Sequence, residues 1–362
     1  MPRTPVVVLS TMDPVVRDAA VLALVADRPR TVVLRHDLRD DGLRRTVLCA
    51  GGVVEEGYVE LGHGCIGCAV RADIVPALAR LARDPRWDAV LLALPVSADS
   101  LPVARAVARA AQPGGPLEHV RLASVATAQE LDGFDDDLLG GDLLVEWGLG
   151  FSEADRRPVA EAVAAQVAHA DVVLVLPGAG PRAQVASDLL DHVRARDGRR
   201  VDLFAADPGA LLRTEHDVRR GACRTDPRCA RPVPGAPEGA GVWTLDLRSP
   251  LPVHPERFVE HVGRLGVGRL HGRGCFWVPS RPGSACAWHG VGGQVAVGSA
   301  GRWGGRVPQT RLVVTGVDDV RSDVLEAFAE VLLTPGELAA GPEVWRGRRD
   351  VLEPWLGQPE RA

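Results

Sequence analysis

The 362-residue sequence contains no lysine and no asparagine, so all 42 of its basic side chains are arginine. A GC-rich coding sequence accounts for both absences. They exclude any site that needs a lysine ammonium or an asparagine amide at a fixed place, including the two nucleotide-binding motifs that depend on those groups. Arginine supplies positive charge here, but its planar guanidinium does not replace an ammonium group.

Long apolar runs and cysteines are also scarce. The longest apolar runs, such as VVLVLP near residue 175, are far shorter than a membrane span, and PVVVL near the start is too brief for a signal peptide. Seven cysteines, an odd number, argue against a disulfide framework and predict reduced thiols. Cys223 and Cys229 are interpreted as incidental, and Cys275 and Cys286 as packed in strands. We expect a cytoplasmic protein with no membrane partner.

Strand-like and helix-like segments alternate in the first part of the chain. Residues 5–9 predict a buried strand, residues 16–26 an amphipathic helix and residues 30–38 a second strand. The alternation continues through DVVLVLP and VDLFAAD. Residues 1–204 are therefore predicted to form an α/β domain with a doubly wound, mostly parallel sheet.

The rest of the chain has a different organisation. Residues 205–240 are rich in proline, glycine and arginine without periodicity, which is typical of a linker. Short strands and two helical segments then predict a smaller α+β domain over residues 241–340, and residues 341–362 are interpreted as a tail.

The stretch ELGHGCIGCAVRAD carries a C-x-x-C pair that is suited to zinc. Thiolates are favoured zinc ligands, and two at this spacing reach one ion from a tight turn. The candidate ligands are Glu60, His63, Cys65 and Cys68. Cys49 and His36 are further candidates if the segment docks against neighbouring strands. The alternatives are a redox-active dithiol, because the pair opens a helix, or two small buried side chains at a helix start.

The second predicted domain is basic. Residues 239–311 hold nine arginines and three acidic residues, whereas residues 1–238 hold 28 arginines and 34 acidic residues. Arginines interleaved with tryptophans can contact phosphates and stack on bases. The candidate partner-binding residues are Arg269, Arg273, Arg302 and Trp303. The alternative is a set of solvated arginines around a tryptophan-rich core.

Taken together, these motifs resemble the CobW family of metallochaperone GTPases over nearly the whole chain. The resemblance is carried by the strand-turn-helix opening, the cysteine motif before a helix, ADVVLVL, LPVHPERF, and GRGCFWVPSRP with the following AWHGVGGQVAVGSAGRWGG. It implies a P-loop GTPase-like domain followed by a CobW C-terminal domain, zinc as the metal, and a zinc-dependent client protein. The sequence is also similar to family members that recruit a hibernation factor to ribosomes under zinc limitation, which implies the ribosome or a ribosome-bound factor as a partner.

The sequence departs from the family's phosphate loop, GxxGxGKT, at every defining position. Thr11, Pro14 and Val16 replace the glycines, Arg17 replaces the lysine and Asp18 replaces the threonine. The backbone then cannot approach a phosphate closely, and Pro14 offers no N–H group. Asp18 adds a negative charge where phosphate would lie.

Two further family motifs are changed. The guanine-reading NKxD is replaced by the four residues 176–179, LPGA, and the middle cysteine of the family's three is Gly67. We therefore predict a CobW-like zinc-homeostasis protein that binds zinc, acts through protein or ribosome binding and has lost GTPase activity, with no catalytic residues. The alternatives are an active GTP-dependent zinc metallochaperone and a ribosome-associated hibernation or adaptor factor under zinc limitation.

Overall fold

The computed structural model describes residues 3–39, 42–60, 66–341, 344–345 and 348–358, and the chain divides into two compact units. The first unit comprises Met1–Phe134, Asp142–Ala183 and Arg194–Arg224. The second comprises Asp135–Gly141, Gln184–Val193 and Thr225–Ala362. Each unit is built on its own sheet.

The sheet of the first unit has eight strands in the described part of the chain. They are β1 (Thr4–Thr11), β2 (Thr31–Arg39), β3 (Gly42–Cys49), β4 (Gly52–Glu60), β5 (Ala89–Ala93), β6 (Val120–Glu130), β7 (Val172–Leu176) and β8 (Arg199–Asp202). Their order is β4-β3-β2-β5-β1-β6-β7-β8. All neighbouring strands are parallel except β2–β3 and β3–β4, which are antiparallel. The predicted mostly parallel sheet is confirmed.

Helices precede or follow most of these strands. They are α1 (Pro14–Val25), α2 (Ile66–Ala69), α3 (Val75–Leu81), α4 (Ser100–Ala110), α5 (Phe134–Leu139), α6 (Val159–His169), α7 (Ala183–Val193), α8 (Pro208–Arg213) and α9 (Val218–Thr225), with a π-helical turn over Val70–Ile74 between α2 and α3. Successive β1 side chains enter different cores: Val6 and Val8 pack with α3 and α4, and Val7 and Leu9 with α1 and α8. Both faces of the sheet are therefore covered, as doubly wound topology requires.

Two regions differ from the sequence expectation. The hairpin of β3 and β4 was not predicted, because β4 is largely exposed and its sequence, GVVEEGYVE, lacks a buried apolar run. The interpretation of residues 205–240 as a linker without regular structure is wrong, since α8 and α9 lie there. Each of these helices is too short to show a helical period of apolar residues in the sequence. Asp207 caps α8 by accepting a hydrogen bond from the Gly209 amide at 2.7 Å.

The second unit contains an antiparallel sheet with helices. Its described strands are β9 (Trp243–Ser249), β10 (Leu270–Phe276), β11 (Ser284–Val291), β12 (Gln294–Arg302) and β13 (Thr310–Gly316), in the order β12-β11-β10-β13-β9. Its helices include α5 and α7, apart from the first residue of each, together with α10 (Pro255–Gly266), α11 (Arg321–Val331), α12 (Pro335–Ala339) and α13 (Glu353–Leu356). The predicted α+β domain is confirmed, and Leu352 of the predicted tail packs into its core.

A buried tryptophan organises this core. Trp288 is fully buried on β11 and stacks over Gly272 of β10, where an added Cβ would lie 2.3 Å from the indole. Phe258 of α10 and Phe276 of β10 stack nearby with ring centroids 4.6 Å apart. Glycine at position 272 therefore makes room for the indole, which explains a glycine in the interior of a strand.

The cysteines outside the C-x-x-C motif fall into two classes. Cys275 and Cys286 are buried as predicted, and burial raises the pKa of the Cys275 thiol to about 11 and that of Cys286 to about 12. Cys223 and Cys229 are disulfide-bonded, so the expectation of reduced thiols is wrong for these two. Within the described ranges, no helix is long and apolar enough to cross a bilayer.

Candidate metal and nucleotide site

The loop between β1 and α1 is closed by a carboxylate of the chain itself. Asp13 is the N-cap of α1, and its carboxylate accepts hydrogen bonds from the amides of Val15 at 2.6 Å and Val16 at 2.9 Å. Amides at a helix N-terminus are where a phosphate would bind. Pro14, the first helical residue, has no N–H to offer. The anion position of this helix is therefore already filled.

Arg17, which replaces the phosphate-loop lysine, points away from that position. Its side chain is buried, and its guanidinium donates to the backbone carbonyls of His36 and Leu94, each at 3.2 Å. It also forms an ion pair with Asp37. Burial alone would raise the pKa of Asp37, but the charges and hydrogen bonds of Arg17 and Arg35 hold it below its usual value. Arg17 thus joins α1 to β2 and to the end of β5.

The other two loop residues predicted from the sequence are also engaged within the chain. Thr11 is buried at the end of β1, and its hydroxyl accepts a hydrogen bond from the Asp13 amide at 3.2 Å. Asp18 forms an ion pair with Arg35 at 2.8 Å. Neither residue is arranged around an empty cradle for phosphate and magnesium.

The loop after β7, which would read the base in a GTPase, is likewise tied down. Asp132 accepts hydrogen bonds from the amides of Ala179 at 3.1 Å and Gly180 at 2.9 Å. A Cβ at position 178 would lie 2.5 Å from an Asp132 carboxylate oxygen, so Gly178 is required for this approach. The side chains of residues 176–179 carry no polar group, and they offer nothing to hydrogen-bond with guanine.

The structure describes two of the four predicted zinc ligands. Cys68 is half-buried in α2, which begins at Ile66, and Glu60 is exposed at the end of β4. His63 and Cys65 lie outside the described residues. Over the ranges the structure describes, no three His, Cys, Asp or Glu side chains are grouped as a metal would require. The ligand set therefore remains a prediction.

A buried polar network follows Cys68 directly. The π-helical turn Val70–Ile74 places Asp73 in the interior, 2.7 Å from Nε2 of His36 and in an ion pair with Arg45. Burial alone would raise the pKa of Asp73, but His36 and Arg45 lower it below its usual value. His36, a candidate ligand, is instead a partner of this carboxylate. Nothing in the sequence around Asp73 indicated this role.

The predicted partner-binding residues of the second unit do not form a basic and aromatic face. Trp303 is buried in a small core with Cys275. Arg269 forms ion pairs with Asp135 at 2.9 Å and Asp136 at 2.7 Å, and Arg273 is partly buried on β10. Of the four, Arg302 is exposed. The expectation of accessible aromatics is wrong for Trp303, because its indole fills core space.

The matches to known protein families fall in the same two parts of the chain. Residues 26–176 match the CobW/HypB/UreG nucleotide-binding domain, and residues 242–332 match the C-terminal domain of the cobalamin synthesis protein cobW. The first match begins after the loop that contains Asp13 and Arg17.

Several curated relatives span most of this chain. A protein named zinc chaperone Rv0106, from Mycobacterium tuberculosis, is 27% identical over 400 residues, which cover 99% of this chain and 94% of that protein. The zinc-regulated GTPase metalloprotein activator 1 of Dictyostelium discoideum is 21% identical over 341 residues, covering 82% and 70%. Among solved structures, the Zn(II)-bound YjiA GTPase of E. coli is 13% identical with a TM-score of 0.37, covering 92% of this chain and 100% of that one.

Proposed function

The chain belongs to the CobW family, and from this membership we propose that it is a zinc-binding member that acts on a zinc-dependent client without hydrolysing GTP. Two relatives that cover most of its length are named for zinc. The C-x-x-C motif supplies the thiolates that zinc prefers. The cytoplasmic location predicted from the sequence fits such a role.

The proposed loss of GTPase activity rests on the contacts within the loop at residues 11–18. GTP would have to displace Asp13 from the amides of Val15 and Val16, and would gain no charge from Arg17 unless its ion pair with Asp37 broke. Breaking one side of a buried ion pair costs about 3–5 kcal/mol. That cost is comparable with the binding energy of about 4 kcal/mol that a millimolar ligand supplies.

The metal would be held between β4 and α2. Glu60 ends β4, Ile66 begins α2, and Cys68 lies within α2. Thiolates of Cys65 and Cys68 with His63 and Glu60 make a four-ligand set of the kinds zinc accepts. Because thiolates bind only when deprotonated, zinc affinity should fall as the pH falls.

Metal analysis of purified protein tests the zinc site. We expect one zinc per chain in the wild type and none in the Cys65→Ser, Cys68→Ser variant. The matched control is Cys223→Ser, Cys229→Ser, which removes a second cysteine pair and should retain the ion. Equal zinc in all three proteins would show that the C-x-x-C pair is not the site.

Calorimetric titration with GTP and Mg²⁺ tests the nucleotide part. We expect no binding at micromolar concentrations and no phosphate release. A micromolar dissociation constant together with GTP hydrolysis would instead support the alternative, an active GTP-dependent zinc metallochaperone. The ribosome partner stays a prediction, and its argument from charge is weaker because Arg269 is ion-paired and Trp303 is buried.

A further inference from the structure

Two buried histidines of the first unit turn a ring nitrogen towards the same point. His169, the last residue of α6, is 1% exposed, and His216, between α8 and α9, is 6% exposed. The Nε2 atom of each is buried and finds no hydrogen-bond partner in the described part of the chain. A Cβ added to Gly221 of α9 would lie 2.7 Å from Nε2 of His216 and 3.0 Å from Nε2 of His169. The two nitrogens therefore converge beside α9.

The opposite nitrogen of each ring is held by an oxygen. Nδ1 of His216 lies 2.8 Å from a carboxylate oxygen of Asp171, and Nδ1 of His169 lies 2.7 Å from the Ser100 hydroxyl. A carboxylate accepts hydrogen bonds, so Nδ1 of His216 donates to Asp171, and Nε2 of that ring carries the lone pair when the imidazole is neutral. The Ser100 hydroxyl can accept the Nδ1 proton of His169 in the same way.

We propose that Nε2 of His169 and Nε2 of His216 together bind a transition-metal ion, at a site separate from the cysteine motif. Imidazole nitrogens are ligands of zinc and copper, and a ring whose other nitrogen is bonded to a carboxylate or hydroxyl is the usual form of a metal-binding histidine. Two buried ring nitrogens without partners are otherwise costly to the fold. An ion between them would satisfy both.

The fixed charges next to the two imidazoles are nearly balanced. The positive charge of Arg224 is balanced by two carboxylates, Asp171 at 2.7 Å and Asp197 at 2.9 Å, so the site does not repel a cation strongly.

The number of ligands favours monovalent copper over zinc. Zinc in a structural site takes four ligands, whereas Cu⁺ accepts as few as two. Within the described residues no third His, Cys, Asp or Glu joins the two imidazoles as a ligand group. An ion here would connect α6 with the chain between α8 and α9, and through Ser100 would contact the start of α4.

The test uses the full chain carrying Cys65→Ser and Cys68→Ser, so that it stands apart from the proposed zinc site. This protein is loaded with Cu⁺ under anaerobic conditions, or with Zn²⁺ in a separate arm, and dialysed. Bound metal per chain and the thermal unfolding midpoint are then measured. We expect one additional copper ion per chain relative to His169→Gln and His216→Gln in the same background, and a midpoint that copper raises only when both histidines are present.

Two further variants keep the result interpretable. Gly221→Ala retains both imidazoles but places a methyl group where they converge, so it should lose the ion. His261→Gln removes a partly exposed histidine elsewhere and should keep it. A gain of zinc instead of copper would support the site with the other ion. If the background protein and all four variants bound equal amounts of metal, with copper and with zinc, the proposal would be overturned. A buried water molecule would then be the partner of the two nitrogens.

Discussion

Replacing Arg17 with methionine tests whether this residue stabilises the fold or is available to bind phosphate. Methionine keeps the apolar length of the side chain and removes the guanidinium. If Arg17 braces α1 against β2 and β5, as its contacts with His36, Leu94 and Asp37 indicate, then its loss destabilises the first unit. If the residue were held ready for a nucleotide, its loss would leave stability nearly unchanged.

The size of the effect follows from what the substitution leaves behind. Losing one partner of a buried ion pair costs about 3–5 kcal/mol. Asp37 retains a hydrogen bond from Arg35 at 3.0 Å and is 16% exposed, which reduces the penalty. Two carbonyl oxygens also lose a donor. We therefore expect a loss of about 2–4 kcal/mol.

Urea denaturation followed by circular dichroism measures this loss. Because the free energy of unfolding falls by about 1–3 kcal/mol per molar urea, the unfolding midpoint should fall by roughly 1–2 M. The matched control is Arg30→Met, which breaks an ion pair with Asp88 whose two side chains are 57% and 65% exposed, and it should leave the midpoint nearly unchanged. The double variant Arg17→Met, Asp37→Leu should recover part of the loss, because neither charge is then left buried alone. Equal midpoints for Arg17→Met and Arg30→Met would refute the structural role.

Three other outcomes follow from the structure. Burial alone would raise the pKa of Asp155, but hydrogen bonds and a neighbouring arginine lower it to about 2, so its stabilisation is complete above pH 4 and is lost as the pH falls through 2. Asp155→Asn should therefore cost about 2 kcal/mol at pH 7, a gap that closes below pH 2 in acid titrations of stability. Gly272→Ala should lower stability by about 1–3 kcal/mol in thermal unfolding, because its Cβ would clash with Trp288. Gly298→Ala is the control and should be neutral, because there is open space around that position. Equal losses for the two variants would contradict this packing. If the protein binds ribosomes through phosphates, co-sedimentation should weaken steeply with salt and with Arg302→Glu; pelleting that neither changes would exclude a charge-driven contact.

The sequence predicted the parts of the fold that depend on periodic burial. Strands such as Val172–Leu176 are continuous apolar runs, and both the parallel sheet and the α+β domain follow from them. The β4 strand and the short helices α8 and α9 were not predicted, because an exposed edge strand and helices of six and eight residues show no clear hydrophobic period. Trp303 and Arg269 were predicted at a surface because a sequence does not show which arginine meets a carboxylate or which indole fills a core.

The candidate site also contains contacts that could not be predicted from the sequence. The sequence identified the residues that replace a phosphate loop, but not that the chain fills the vacated contacts itself. Asp13 takes the helix amides and Asp132 takes those of residues 179 and 180, so two anchoring roles that nucleotide binding supplies in a GTPase are supplied by carboxylates. The Asp13 cap follows a local pattern, an aspartate before a helix that begins with proline, which the sequence analysis did not use. The Asp132 contacts join residues that lie 47 and 48 positions apart in the chain, so no local pattern indicates them.

Buried contacts connect the loop at residues 11–18 with the π-helical turn that follows Cys68. This turn carries Asp73, Asp73 lies within hydrogen-bond distance of His36, and the carbonyl of His36 accepts a hydrogen bond from Arg17. The proposed zinc ligand Cys68 is therefore linked to Arg17 through the backbone of this turn and two buried hydrogen bonds.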